Sequence, residues 1–445
     1  MIYHALVIDQ CVIEHEEEYI RFFGRLGQGG TALTNDELTY SIIKYHFPEV
    51  RDRMKAITGG PAGRVAGEVN LVLAALRVAK VSAPWNNSGD WQIFGRPQPS
   101  FVSRLKDKEL LEVRKKFQHM IPVDSDGWLL KLLESIRRRL VYDKATNPTG
   151  LPVILLARLP HQLVDVLILI ESQRQQQEEP HSLPAFVLYW LLFVGDDEKA
   201  ANIIFKRFCL NTADWQPRSD KELIRYFEQQ DISRRLPSLE LLGKARDEIR
   251  LNTHLLRAWG DRFATLDVNK NHRTGDALRV LSTNGELVRR ALLWLQREYL
   301  GEQFPDYDPT SSRDEDLPID LDHLVPHKMF GDDWRRQQNC LSFEDGRENF
   351  RDLRGTVGNS LGNYRWLDAS ENRSRKDGLI DECDSERDMI EAVPSWNELI
   401  RKKQWSKDDV AAFQRIIDFR SLMVYEALLI QGRLDTFVSG DASTL

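Results

Sequence analysis

Cysteine is scarce in this chain of 445 residues, which holds four cysteines at widely separated positions. No Cys-x-x-Cys pair occurs, so neither the spacing of a structural zinc site nor a disulfide framework is expected. Long apolar runs are also missing, since the longest, Pro184–Val194, is about eleven residues and too short to span a bilayer. The first residues lack the pattern of a secretory signal. We therefore expect a cytoplasmic protein with no membrane association.

Positive charge is not in excess either, because the formal net charge is −7. Avid nonspecific binding to DNA needs clustered Lys and Arg, and the average composition does not favour it. Between residues 351 and 376, however, basic residues outnumber acidic ones, and Arg373, Arg375 and Lys376 end this stretch. A basic surface is expected there, and these three side chains are candidates for contact with DNA phosphates.

Strand-like alternation is scarce between residues 51 and 302, where apolar residues recur at helical spacing. Helices are predicted at residues 14–26, 62–81, 128–142, 162–177, 221–229 and 285–300. One further helix is predicted to begin after a cap at Thr34 or Asn35 and to end just before Pro48. No repeat of fixed period is visible, so both an α-helical bundle and an irregular solenoid remain open.

A polar, acidic and proline-containing stretch at residues 303–318 is typical of a connector between domains. Further on, Ser406 precedes Asp408 and Asp409, a pattern that favours the start of a helix because serine caps it and acidic groups stabilise the positive end of its dipole. We predict that this helix packs under whatever site the preceding residues build.

The strongest chemical signal lies in residues 319–326, Ile-Asp-Leu-Asp-His-Leu-Val-Pro. His323 suits a general base, because neutral imidazole takes up a proton near pH 7. Asp322 points to the other side of an extended strand and offers a carboxylate to a hard cation. Asn372, near a helix start, offers a second oxygen ligand, and Asn363 suits hydrogen bonds that fix the loop after His323. This set predicts metal-assisted hydrolysis of a phosphodiester.

The pattern Asp-x-Asp-His-x-x-Pro, then Gly-Asn, then Asn-Arg-x-x-Lys resembles an HNH nuclease domain. Its third position is Asn372 rather than histidine, as in the HNH domains of RNA-guided CRISPR nucleases. The resemblance implies a ββα-metal fold, with His323 and Asn363 in the catalytic site and Asp322 and Asn372 as metal ligands. Mg²⁺ is the expected ion, and Mn²⁺ and Ni²⁺ are alternatives.

Two further stretches resemble GmrSD-type modification-dependent restriction proteins. Residues 357–367 are similar to the Asn-x-Leu-Gly-Asn run of that family's C-terminal nuclease domain. Residues 22–41 are similar to the stretch that closes its ParB/sulfiredoxin-like nucleotide-hydrolysing domain, although Gly27 stands where the family usually has Asn. The family's Asp-Gly-Gln-Gln-Arg motif is absent and would lie upstream of residue 1. We therefore expect no nucleotide-binding residues here and a separate nucleotide-hydrolysing subunit as a partner.

We therefore expect a mainly α multidomain protein, with an α-helical middle region and a C-terminal α+β ββα-metal (HNH) nuclease domain. The expected segments are a ParB/sulfiredoxin-like remnant at 1–50, a helical domain at 51–302, a linker at 303–318 and the nuclease domain with its C-terminal helix at 319–438. The expected function is DNA cleavage in restriction or antiviral defence, and a homodimer would supply the two sites that a double-strand break needs.

Two alternatives belong to other classes of protein. The chain would be a nucleotide-dependent regulator with a vestigial nuclease domain, or a helical partner-binding subunit that is inactive alone. At the level of single residues, asparagines such as Asn363 and Asn372 often occupy turns and helix caps, and a basic run such as residues 373–376 is often a solvated helix face.

Overall fold

The computed structural model describes only part of the chain. The described residues are 33–63, 65–82, 94–121, 127–156, 159–172, 182–210, 239, 242–243, 285–305, 318–326, 342–343, 361–375, 398–399, 402 and 404–434. The helices predicted at 14–26 and 221–229, most of the predicted linker and Lys376 lie outside these residues.

Helices dominate the described residues, and the chain is mainly α as predicted. In chain order they are α1 (Asn35–His46), α2 (Val50–Thr58), α3 (Glu68–Ser82), α4 (Pro99–Ser103), α5 (Leu111–Met120), α6 (Trp128–Leu140), α7 (Val153–Leu156), α8 (His161–Ser172), α9 (Ser182–Tyr189), α10 (Glu198–Leu210), α11 (Gly285–Leu295), α12 (Arg297–Gln303), α13 (Ala369–Arg375) and α14 (Lys407–Ile430). Helix α9 continues into a π-helical turn, Trp190–Val194, and short 3₁₀ turns lie at Pro61–Gly63, Arg104–Lys106, Lys108–Leu110 and Leu361–Asn363.

The strands form two small pairs. Strand β1 (Ile319–His323) is antiparallel to β3 (Tyr364–Asp368), and β2 (Ser342–Phe343) is parallel to β4 (Gln404–Trp405). None of the helices in the described ranges is both long and apolar enough for a membrane span.

The chain divides into two compact units. The first consists of Met1–Arg138, Leu156–Glu178 and Asp196–Trp215, and the second of Arg139–Leu155, Glu179–Gly195 and Gln216–Leu445. Residues that the sequence assigned to one helical middle region are thus shared between the units. The boundaries predicted from the sequence stay predictions.

Helix boundaries in the first unit follow local sequence signals. Helix α1 starts after Thr34, whose hydroxyl accepts a hydrogen bond from the Glu37 amide at 3.2 Å, while the Glu37 carboxylate accepts one from the Thr34 amide at 2.8 Å. This capping box satisfies amides that a helix start leaves unpaired, and it confirms the predicted cap. Helix α3 starts at Glu68 rather than near residue 62, because Pro61–Gly63 forms a separate 3₁₀ turn.

Buried charge joins the helices of the first unit. The fully buried Arg77 donates from Nη1 to Asp165 at 2.7 Å, from Nη2 to Glu198 at 3.0 Å and from Nε to the Phe94 carbonyl at 2.9 Å. Asp165 is also fully buried, and its Oδ2 lies 3.4 Å from Arg96 Nε. Such a network defines how α3, α8 and α10 pack, because each charge is costly to bury without its partner.

The second unit contains the strand pair β1–β3 and the helices α11 to α14. The helix predicted at 285–300 is interrupted at Gln296, where α11 ends and α12 begins. Helix α14 begins after Ser406, whose hydroxyl accepts from the Asp409 amide at 3.3 Å, as its sequence predicted. Its apolar stripe, which includes Phe413, Ile416 and Ile417, is buried.

Replacing Asp165 with alanine is expected to destabilise the first unit by about 3–5 kcal/mol, because it leaves the Arg77 guanidinium buried without its closest counter-charge. Urea denaturation measures the change. The matched control is Glu112→Ala, which breaks an exposed ion pair with Lys115 and is expected to change the midpoint little. Equal urea midpoints for Asp165→Ala and Glu112→Ala would contradict the stabilising role of the buried Arg77–Asp165 pair.

Candidate functional site

The register of β1 and β3 sorts the candidate residues onto two faces. Asp322 pairs with Arg365, and His323 pairs with Tyr364. Residues that pair directly across antiparallel strands share a face, and successive residues alternate. Asp320 and Asp322 therefore lie on one face with Arg365, whereas His323 lies on the opposite face with Tyr364, as the sequence predicted for Asp322 and His323.

Asp322 is a buried carboxylate, only 4% exposed, that is bound by two arginines. Arg365 donates from Nε to Oδ2 at 3.1 Å, and Arg375 of α13 donates from Nη2 to Oδ1. The same Nη2 donates to the His323 carbonyl at 2.8 Å. Both oxygens of the predicted metal ligand are thus held by cations of the protein itself.

Asn372 lies on α13 and contacts the neighbouring carboxylate. Its Nδ2 donates to Asp320 Oδ2 at 3.3 Å, and the exposed Arg373 places Nε 3.6 Å from the same oxygen. Asp320, Asp322, Asn372, Arg373 and Arg375 therefore form one polar cluster where α13 packs on the strands. Asp320 is the carboxylate that Asn372 contacts.

His323 ends β1, and its imidazole packs on the Tyr364 ring with 4.3 Å between ring centroids. Burial raises the pKa of the Tyr364 phenol above its usual value. The residue as a whole is partly exposed at the end of the strand, whereas its ring nitrogen Nε2 is buried. The structure does not bring His323 into the Asp320–Asp322 cluster, but the two groups meet at the same strand end, since residues 322 and 323 are adjacent.

Asn363 is fully buried and binds the segment that follows His323. Its side-chain Oδ1 accepts from the Val325 amide at 3.0 Å, and its Nδ2 donates to the Val325 carbonyl at 3.1 Å. Its own carbonyl accepts from the Leu324 amide at 2.8 Å. A side-chain amide that pairs with both backbone groups of one residue fixes that residue firmly, so Asn363 holds the loop as expected from the sequence.

Helix α14 holds the turn that carries Asn363. The buried Arg420 donates from Nη1 to the carbonyls of Gly362 at 2.8 Å and Tyr364 at 2.7 Å. A Cβ at Gly362 would lie 2.0 Å from the Ile417 carbonyl, so only glycine allows this approach. The predicted packing of the C-terminal helix under the site is thus made by one charged side chain and one glycine contact.

Asp368 ends β3 and caps α13. Its Oδ1 accepts from the amides of Ser370 at 2.8 Å and Glu371 at 3.1 Å. Hydrogen bonds from the Ser370 hydroxyl and the Glu371 amide lower the pKa of this carboxyl. The cap starts the helix at Ala369, so Asn372 lies in its middle rather than at its start.

The donor chemistry of the cluster suits a hard divalent cation, because Asp320, Asp322 and Asn372 all offer oxygen atoms on one face. A cation at Asp322 would have to compete with Arg375 for Oδ1. Within the described ranges, no group of three or more His, Cys, Asp and Glu side chains is arranged to hold a metal ion. The fit therefore depends on a mixed carboxylate and amide site, as predicted, and on release of Arg375.

Sequence reasoning missed two groups in this region. Arg365 was counted only as part of the basic stretch, although its position across from Asp322 follows once β3 is aligned. Arg420 was overlooked, and its signal was a single arginine within the apolar stripe of α14. Lys376, the third candidate phosphate contact, lies outside the described residues.

Comparison with known proteins gave no significant match to a family model, a curated protein or a solved structure.

Replacing Asp368 with alanine is expected to destabilise the second unit by about 1 kcal/mol at pH 7, whereas Asp368→Asn, which keeps a capping oxygen, should cost less. Because the folded-state pKa of Asp368 is lowered, its contribution is complete above the usual carboxyl range and is lost as pH falls through the folded-state pKa. Urea titrations at neutral and acidic pH measure both effects. A difference in the free energy of unfolding between wild type and Asp368→Ala that grows on acidification would contradict the capping role of the Asp368 carboxylate.

Replacing Arg420 with methionine is expected to leave buried carbonyls without donors and to cost about 1–3 kcal/mol. The turn should loosen, so the Leu324 and Val325 amides, which bond to Asn363, should exchange hydrogen faster. Hydrogen exchange measured peptide by peptide tests this. Arg415→Met on the same helix is the control, and unchanged exchange at residues 324–325 in Arg420→Met would refute the role of Arg420.

Proposed function

We propose that this chain is a metal-dependent endonuclease that hydrolyses phosphodiester bonds of DNA through an HNH-like site. The observation that supports it most directly is the unit formed by β1, β3 and α13, in that order along the chain. It combines a histidine at a strand end, an adjacent buried carboxylate and an asparagine on the following helix. His323 and the polar cluster lie on opposite faces of the strand pair, at the same end of β1, so a base, ligands and cationic groups surround that strand end.

The scissile phosphate would bind across the end of β1, where adjacent residues from both faces can reach it. His323 would take a proton from the attacking water. A cation held by Asp322 and Asn372 would supply Lewis acidity at the phosphate and neutralise charge on the leaving 3′ oxygen. Asn363 would keep His323 in place by fixing Val325.

Charge around the cluster supports a polyanionic substrate. The polar cluster and the neighbouring Arg365 together contain three arginines and two carboxylates, a formal excess of positive charge despite the acidic chain. Arg373 has an exposed side chain and is available to a phosphate from solvent. Restriction of foreign or modified DNA is the biological setting that we propose, from the sequence resemblance.

A second candidate function is a helical partner-binding or nucleotide-dependent regulatory subunit whose nuclease domain is inactive alone. One observation favours it: Asp322 is neutralised by two arginines. Such a chain would gain cleavage only when a partner, such as a nucleotide-hydrolysing subunit, rearranges the cluster. Cleavage by the purified chain without any partner would exclude this candidate.

Replacing His323 with alanine is expected to lower the rate of plasmid nicking by about 10²–10⁴-fold, the usual contribution of a general base. The assay compares supercoiled and nicked plasmid in Mg²⁺, Mn²⁺ or Ni²⁺, with EDTA as the metal-free control. His119→Ala, on the exposed face of α5, is the matched control and should cut as wild type does. Equal nicking by the His323→Ala and wild-type proteins would remove the nuclease proposal.

A further inference from the structure

The two arginines that bind Asp322 differ in how firmly they are held. Arg365 is 2% exposed and stands directly across the ladder from Asp322. Arg375 is 14% exposed in its side chain and reaches Asp322 from the last described turn of α13. The less buried side chain at the helix end can change its rotamer with less disturbance of the surrounding packing than the more buried side chain within the strand pair. Arg375 is therefore the exchangeable counter-charge.

We propose that Arg375 and a divalent cation compete for Asp322, and that a DNA phosphate which draws Arg375 away raises the affinity of the site for the cation. The inference rests on the proposed function, because it concerns the same metal ligand. It adds a property that the nuclease assignment does not require, namely that metal and DNA bind cooperatively through one side chain.

The competition follows from charge and from the number of oxygens. Asp322 has two carboxylate oxygens, and both accept hydrogen bonds from guanidinium groups. A dication at Oδ1 would replace the Arg375 contact and would be repelled by the nearby guanidinium in a poorly solvated site, because Asp322 is buried. Removing Arg375 eliminates both penalties.

A DNA phosphate can accept the displaced side chain. Guanidinium binds phosphate oxygens as well as carboxylate oxygens, so a phosphate can replace the Asp322 oxygen and the His323 carbonyl that Nη2 of Arg375 contacts. Linkage then requires the effect to be mutual: if DNA raises the affinity for the cation, the cation raises the affinity for DNA by the same factor. Asp322 would remain neutralised by Arg375 until substrate arrives.

Arg373 provides a matched control within the same helix. It carries the same charge two residues away, but its closest carboxylate is Asp320, at 3.6 Å, and its side chain is 69% exposed. Loss of Arg373 removes general positive charge from the cluster without freeing Asp322. A difference in Mn²⁺ affinity between the Arg375 and Arg373 variants therefore reports on the contact between Arg375 and Asp322 rather than on net charge.

The experiment measures Mn²⁺ binding by electron paramagnetic resonance of the free ion, in a His323→Ala background that slows DNA cleavage during the titration and retains the backbone carbonyl at residue 323. The proteins are the parent, Arg375→Ala, Arg375→Gln, Arg373→Ala and Asp322→Ala, each checked for folding by circular dichroism. Each is titrated with and without a short DNA duplex. Arg375→Gln keeps most of the side chain and covers the case in which the alanine variant misfolds.

The expected result is that both Arg375 variants bind Mn²⁺ about tenfold more tightly than the parent without DNA, within the usual range of coupling between sites. DNA should tighten Mn²⁺ binding in the parent and in Arg373→Ala, and clearly less in the Arg375 variants. Mn²⁺ binding by Arg375 variants that is no tighter than that of Arg373→Ala overturns the inference alone. Mn²⁺ binding by Asp322→Ala that equals binding by the parent, both with and without DNA, overturns the metal site and the proposed function as well.

Discussion

The antiparallel register of β1 and β3 is the constraint on which the candidate site depends. It pairs Asp322 with Arg365 and His323 with Tyr364, so a shift of one residue would exchange the two faces. Asp322 would then lose the contact with Arg365, and the His323 imidazole would lose its packing on the Tyr364 ring. Two strands alone hold a register weakly, since an isolated pair is only marginally stable in water. The surrounding side chains must therefore fix it.

Three buried polar side chains do so by bonding to backbone groups rather than to one another. Asn363 pairs with both backbone groups of Val325, and Arg420 gathers the carbonyls of the turn before β3. Gln296 does the same for β3, because its amide donates to the Trp366 carbonyl at 3.0 Å and accepts from the Trp366 amide at 2.6 Å. Such contacts give direction as well as energy, and apolar packing provides no comparable directionality.

Local patterns predicted much of the fold. The caps at Thr34 and Ser406 set helix starts correctly because capping depends on residues only three apart. Neighbouring residues also predicted the strand that contains Asp322 and His323. They predicted as well that Asn363 holds the loop after His323 by hydrogen bonds. The prediction of one continuous helix at 285–300 was wrong, because the helix is interrupted at Gln296. The Gln296 side chain bonds to a strand residue seventy positions later, which local patterns do not reveal.

Nonlocal pairing explains what the sequence could not reveal about the site. Asn372 contacts Asp320 rather than Asp322, and Arg375 takes the carboxylate expected to hold a metal. Both choices depend on how α13 rotates over the strands, which the cap at Asp368 determines from the opposite end of the helix. Residue type predicted that these side chains would be near one another, but not which of them would touch.

The amide of Gln296 has a consequence for producing the β1–β3 strand pair as a separate fragment. It occupies the edge of β3 that β1 leaves open, and Tyr299 adds a hydroxyl 3.3 Å from the Asp368 amide. An uncovered strand edge recruits foreign strands, and native proteins therefore cover or charge such edges. A fragment that starts after residue 303 would expose this edge and would tend to self-associate. The smallest well-behaved fragment should therefore retain α11 and α12.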